Sequence, residues 1–277
     1  MTPLQLTVLT LVFFATSGVS VVTGSTSLIT VPVLFQFGVD PRIALATNMF
    51  ALTFMSAGGT LPFLRNESLD RRRLPILIAL TLVGSAIGAS LLLIVPERTV
   101  PLVVSAAMIG VAIFWTVYLH SGVVESGTRP SVASEATAYA LTFLFGIYGG
   151  FFSGGYVTVL TAVYVVFLRL SFLEAVATTK LVNIFSSGIA TVIFMWHHLV
   201  DYHLGVVLAF AMFSGALVGA HMAIRLGNQW LRRIFLAAVW ILGLKTLLYD
   251  VLAKSGVLSH STRGAGFSAP QSRSVLT

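Results

Sequence analysis

The sequence predicts an all-α polytopic membrane protein. It reads as two homologous repeats of four to five hydrophobic segments in inverted orientation, each beginning with a broken or re-entrant helix. Three observations predict this. Of 277 residues, 57% are apolar and only 9% are charged, with a mean hydropathy of +0.96, a balance incompatible with an ordinary water-soluble surface. The first half lies on the second at an offset of 131 residues: Gly18 meets Gly149, Gly24 meets Gly155, and Ala44, Ala46 and Thr47 meet Ala175, Ala177 and Thr178. Further on, Ser56 meets Ser187, Asp70 meets Asp201, and Gly84, Gly88 and Ala89 meet Gly215, Gly219 and Ala220. Third, the basic loops of the two halves do not coincide under that offset, which bears on orientation. Paired halves in a membrane chain usually enclose a pathway at their interface.

The first repeat, residues 1–120, opens on a stretch from 4 to 37, and its counterpart runs from 136 to 168. Each is about 33 residues, so one continuous helix would extend about 50 Å, well beyond a hydrocarbon core of about 30 Å. Both are interrupted at matching places, Gly18 to Ser27 (GVSVVTGSTS) and Gly146 to Gly155 (GIYGGFFSGG). Clustered Gly, Ser and Thr free the backbone to unwind inside a protein-lined cavity. Stretches 43–64, 74–95 and 101–119 have the length and apolarity of simple spans, as do 174–196, 204–224 and 231–252 in the second repeat, residues 136–253. Residues 121–135, with Gly122, Gly127 and Pro130, form the linker, and 254–277 read as a disordered tail.

Charge bias sets the orientation. Loop 65–73 carries Arg65, Arg71, Arg72 and Arg73, whereas its counterpart 196–204 has no lysine or arginine; the basic loop of the second half comes one helix later, at Arg225, Arg232 and Arg233. With both basic loops facing the cytoplasm, the halves have opposite orientation and each makes an odd number of crossings. Both termini then lie outside, where Lys254, Arg263 and Arg273 fit poorly. Four crossings per half in parallel orientation is the alternative.

Several classes of function are excluded. The net charge of +7 arises from loops and tails, where the positive-inside bias places basic residues, so no nucleic-acid site is read into it. The absence of cysteine removes disulfides and thiolate chemistry. Residues 1–39 carry no charged side chain, so a cleavable signal peptide with a basic n-region is not expected. A multi-pass protein of the plasma (inner) membrane is expected, with no cofactor.

The runs GSTSLITVPVLFQFGVDPRIALATNMF followed by Leu69-Asp70, and GGFFSGGYVTVL followed by AVATTKLVN and Val200-Asp201, resemble the paired signatures of the sulfite exporter TauE/SafE family. The resemblance covers residues 5–250 and recurs in both halves. It implies a multi-helix permease exporting small sulfur-containing anions such as sulfite or an organosulfonate. The chain departs from the usual signature at GSTS and at SGGYVT, where substrate is expected, so the resemblance gives a class of anion rather than one anion.

The residues suit that chemistry. A dehydrated anion needs donors, and broken helices supply backbone N–H groups and a positive dipole end. Thr23, Gly24, Ser25, Thr26 and Ser27 in one half and Ser153, Gly154, Gly155 and Thr158 in the other form such a constellation. The bland reading is close helix packing by small residues, which is preferred for Gly84, Gly88, Gly215 and Gly219. Thr47 and Asn48 pair by the repeat with Thr178 and Thr179, and either N-capping or substrate contact suits them. Lys180 is the sharpest candidate: it follows Ala-Thr-Thr in an apolar stretch, and it can meet an anion directly, exchange a proton during the cycle, or snorkel to the interface. Asn183, Ser186 and Ser187 continue its helical face.

Other polar residues carry less. His197, His198, Asp201 and His203 tempt a zinc reading, which is rejected because they lack a helical i, i+4 pair; Asp201 and Asp70 read as helix caps. Lys245 reads as a local partner of Asp250 or a snorkelling lysine, and His221 as a packing residue in a tight helix contact. The expected function is a secondary transporter, proton-coupled and binding a small anion between the repeats at the midplane; an anion channel, or an uptake permease for another small organic anion, is the alternative. No G-x-x-x-x-G-K-[ST] loop is present for nucleotide, and neither G-x-S-x-G nor H-E-x-x-H supports an enzyme reading from Ser153 and His221. The expected partners are the anion and the lipid bilayer, and a homo-oligomer is compatible with the reading.

Overall fold

The computed structural model describes residues 2–24, 26–64, 71–106 and 130–226, and every regular element among them is a helix. Helix α1, Pro3–Thr23, starts with a capping box in which Thr2 and Gln5 exchange side-chain and backbone bonds, and it stops at Gly24 with φ +71°. Helices α2, Ser27–Gln36, and α3, Pro41–Leu64, follow. The Asp40 carboxylate caps α3 by accepting from the amides of Arg42 at 2.9 Å and Ile43 at 3.3 Å. Helix α4 is Leu74–Ile94, and after a 3-10 turn at Glu97–Thr99 helix α5 is described over residues 100–106.

Four helices are described in the second half. Helix α6, Val132–Phe151, is capped by Ser131 and takes its first turn from the stretch read as linker. Helices α7, Tyr156–Phe167, and α8, Phe172–Trp196, follow, and a Ser171/Glu174 capping box opens α8. Helix α9 is Tyr202–Leu226, with Asp201 Oδ1 accepting from the Leu204 amide at 3.1 Å. Among the described residues, α1, α4, α8 and α9 are long and apolar enough to cross a membrane. Outside the described residues lie the rest of 101–119, linker residues 121–129, the 231–252 stretch with Lys245 and Asp250, the tail, Ser25 and Asp70.

Both long stretches are broken, but the breaks are shorter than the sequence suggests. They occupy Gly24–Thr26 and Phe152–Gly155, while Gly18, Gly146, Gly149 and Gly150 stay helical. Gly149 and Gly150 serve close packing instead, since a Cβ there would overlap the Tyr156 ring or the Ser85 carbonyl, and glycines on the facing helices do the same. A Cβ at Gly84 would stand 2.6 Å from Phe143 O and one at Gly88 would overlap the carbonyl of Ile147, so α4 rests on the backbone of α6. A Cβ at Gly215 or Gly219 would overlap the carbonyl of Phe14 or of Gly18, so α9 rests on α1 in the same way.

Further contacts recur 131 residues apart. Thr30 Oγ1 bonds Asn48 Oδ1 at 2.7 Å between α2 and α3, and Thr161 Oγ1 lies 3.1 Å from Thr179 Oγ1 between α7 and α8. Asp40 and Ser171 both cap, and Gly24 and Gly155 both adopt positive φ, +71° and +77°. Helix α2 turns back along α3, since Thr26 meets Met55 while Ser27 and Thr30 meet Asn48. Helices α3 and α8 run antiparallel: Thr53 lies 3.3 Å from Thr191, Ser56 accepts from Asn183, and Gly59 faces the Lys180 side chain.

Apolar side chains cover the outside, among them Leu11 at 63%, Val192 at 57% and Phe210 at 76% exposure. Hydroxyls and amides collect inside, where Thr30, Asn48, Thr158 and Thr178 are all fully buried. This arrangement, polar within and apolar without, suits a hydrocarbon surround.

Candidate functional site

The two breaks meet at the centre. Thr158 Oγ1, in the first turn of α7, donates to Thr23 O at the end of α1 at 2.5 Å. A Cβ on Gly24 would lie 2.7 Å from both Thr158 N and Thr158 Oγ1, so only glycine permits this approach and this φ. Neither N-cap residue, Thr26 of α2 or Gly155 of α7, makes a side-chain cap bond. Both helices therefore start with a positive dipole end that their own N-cap side chains do not cover. Ser153 adds a non-glycine residue in the left-handed region, φ +62°, a conformation held where surrounding structure demands it.

Gly24, Thr26, Ser27, Leu52 and Met55 from the first half and Ser153, Val157, Lys180 and Asn183 from the second line a cavity here. Its volume, about 10 Å³, is about the least that one water needs. Anything larger requires the lining to move.

Lys180 dominates the electrostatics. It is 1% exposed, and its Nζ donates to Ser20 O at 3.0 Å, a carbonyl in the last turn of α1 that also accepts from Gly24 N. Snorkelling to the interface is thereby overturned: the side chain points inward, across to the other half. Among the described residues no carboxylate pairs with it; the ion pairs there are Arg42–Glu97 and Arg73–Glu135, both at partly exposed ends of helices. An ammonium has three donors and Ser20 O takes one. A helix C-terminus is a favourable resting place for that charge, but it leaves a buried cation without an anion.

Residues 9–246 match the model of the family described as Sulfite exporter TauE/SafE. The chain belongs to this family. It is similar to a probable membrane transporter protein, ORF9, of a Sinorhizobium species, 25% identical over 82% of this chain and 86% of that protein. It is also similar to the probable membrane transporter protein YfcA of Escherichia coli K12, 25% identical over 90% of this chain and 91% of that one. A probable membrane transporter protein of Haemophilus influenzae is 24% identical over 88% and 95% respectively. No solved structure matches. The chain is thus a membrane transporter of the TauE/SafE family.

Most of the residues expected to serve this transporter fall into three groups. Gly24, Ser27, Ser153, Lys180 and Asn183 surround the cavity, and Thr23, Gly154 and Gly155 shape the breaks beside it, Gly154 O accepting from the Tyr148 hydroxyl. Asn48, Thr179 and Ser187 form a buried layer behind: Asn48 Nδ2 donates to Ser27 Oγ at 3.0 Å, Thr179 meets Thr161, and Ser187 Oγ donates to Asn183 O at 2.6 Å. Thr178 is buried with its hydroxyl unpartnered among the described residues.

Thr47 does not line the cavity; its Oγ1 accepts from the Asp201 amide at 3.0 Å and ties α3 to the start of α9. Capping is also the wrong role for this quartet, since α3 begins at Pro41 and α8 at Phe172, well before these residues. Asp201 caps as expected, but His221 is exposed and bonded to Leu217 O rather than packed in a tight contact.

Sequence reasoning missed Leu52, Met55 and Val157 as cavity walls and Ser56 as the partner of Asn183. The match of Ser56 to Ser187 was a signal for the last of these. For Ser20, which acts through its carbonyl, no side-chain signal existed.

Proposed function

We propose that this family member is a secondary exporter of a small sulfur-containing anion, such as sulfite or an organosulfonate, coupled to the proton gradient across the plasma membrane. The anion binds at the midplane between two inverted repeats. The observation that carries the reading is Lys180: a buried cation without a carboxylate partner among the described residues, beside two helix starts without side-chain caps, one from each half. An anion entering here draws Nζ from Ser20 O and gains donors from the first turns of α2 and α7. Inverted repeats are supported by the antiparallel crossing of α3 on α8 and by the exchange in which α4 rests on α6 while α9 rests on α1.

A carrier is favoured over a channel because the central space has the volume of about one water, which suits a site that opens by moving its halves. The test is sulfite flux in proteoliposomes. Saturable flux that responds to an imposed pH gradient is expected; flux that rises linearly with sulfite and ignores the gradient refutes the carrier reading.

A further inference from the structure

Asn183 is only half satisfied. Its Nδ2 donates to Ser56 Oγ at 2.6 Å, while its Oδ1 is buried and meets no donor among the described residues. The residue is 2% exposed and lines the cavity together with Lys180, three positions earlier on the same face of α8. Asn48, the other buried amide nearby, differs in this respect: Oδ1 accepts from Thr30 and Nδ2 donates to Ser27. The position equivalent to Asn183 in the first half is Leu52, also on the cavity wall, so this half-satisfied amide belongs to one side only. A buried amide oxygen without a donor is unfavourable, and the cavity is completed by whatever brings it a hydrogen.

We infer that the transported anion carries its own hydrogen-bond donor, an O–H or N–H that Asn183 Oδ1 accepts while the anionic oxygens meet Lys180 Nζ. This deepens the proposed function and rests on it. Hydrogen-bearing oxyanions and hydroxy- or amino-substituted sulfonates fit the description; plain alkylsulfonates do not. A site built to hydrogen-bond a substrate group discriminates strongly against the analogue lacking it, because its own polar atom is then left unpaired.

Hydroxyethanesulfonate and propanesulfonate test this, since they differ by OH against CH₃ at nearly constant size. Their affinities are measured by calorimetry on the full chain in lipid nanodiscs, with sulfite as a third ligand. Hydroxyethanesulfonate is expected to bind at least about tenfold more tightly. In Asn183→Leu the ratio falls to within about threefold through weakening of hydroxyethanesulfonate alone. Equal affinities in the wild type overturn the inference, as does a ratio that survives Asn183→Leu. The wild-type ratio decides even where the variant fails to fold. Failure of all three anions to bind defeats the anion site itself, and the inference with it.

Discussion

Gly24→Ala separates the central crossing of the two breaks from ordinary backbone strain, because Gly38 supplies an internal control. Both glycines have positive φ, +71° and +77°, so alanine at either costs about 1–2 kcal/mol for the left-handed conformation. The surroundings differ. A Cβ at Gly24 stands 2.7 Å from Thr158 N, a backbone atom, whereas one at Gly38 meets nothing within 4 Å. To restore ordinary contact, the α1–α2 and α6–α7 breaks must separate by roughly 1 Å, and overpacking of this kind costs about 1–3 kcal/mol. That separation also weakens the Thr158–Thr23 bond.

Gly24→Ala is therefore expected to melt below Gly38→Ala by on the order of 2–10 °C. Thermal unfolding of both variants in one detergent measures this, and sulfite flux should be lost in the first and kept in the second. Equal melting of the two variants would refute the close crossing at Gly24.

Two further outcomes follow from the arrangement. The chain has no cysteine, so single Asn66→Cys and Asn228→Cys variants report topology cleanly; both should label from the same side with an impermeant maleimide, and labelling from opposite sides contradicts inverted repeats. Thr47→Val removes the acceptor for the Asp201 amide and should lower stability by about 1 kcal/mol while leaving the half-saturating sulfite concentration within about twofold, as unfolding and flux titrations would measure; a large rise in that concentration would return Thr47 to the binding site.

Much of the scaffold was legible because it is written in residue types with one dominant use. Hydrophobic length gave the helices, Asp201 gave a cap, and Gly84, Gly88, Gly215 and Gly219 gave close packing. The breaks were located but drawn too long, since glycine can stay helical where a neighbour occupies the space of its missing side chain, as Gly149 against the Tyr156 ring and Gly150 against the Ser85 backbone show. Lys180 and Asn183, which line the cavity, stand out in the sequence as polar residues on an apolar face. Thr47 was less legible, because a threonine has equal means to cap, bind or tie a loop, and its bond to the Asp201 amide depends on a residue far away in sequence. The Ser20 carbonyl was invisible, as every residue owns one.

Sulfite exchange by Lys180→Met, in proteoliposomes matched to wild type for inserted protein, tests most directly whether the buried ammonium is the anion's partner. The account predicts exchange reduced to the protein-free background with normal insertion and an unchanged helical spectrum. Exchange near the wild-type rate would contradict it.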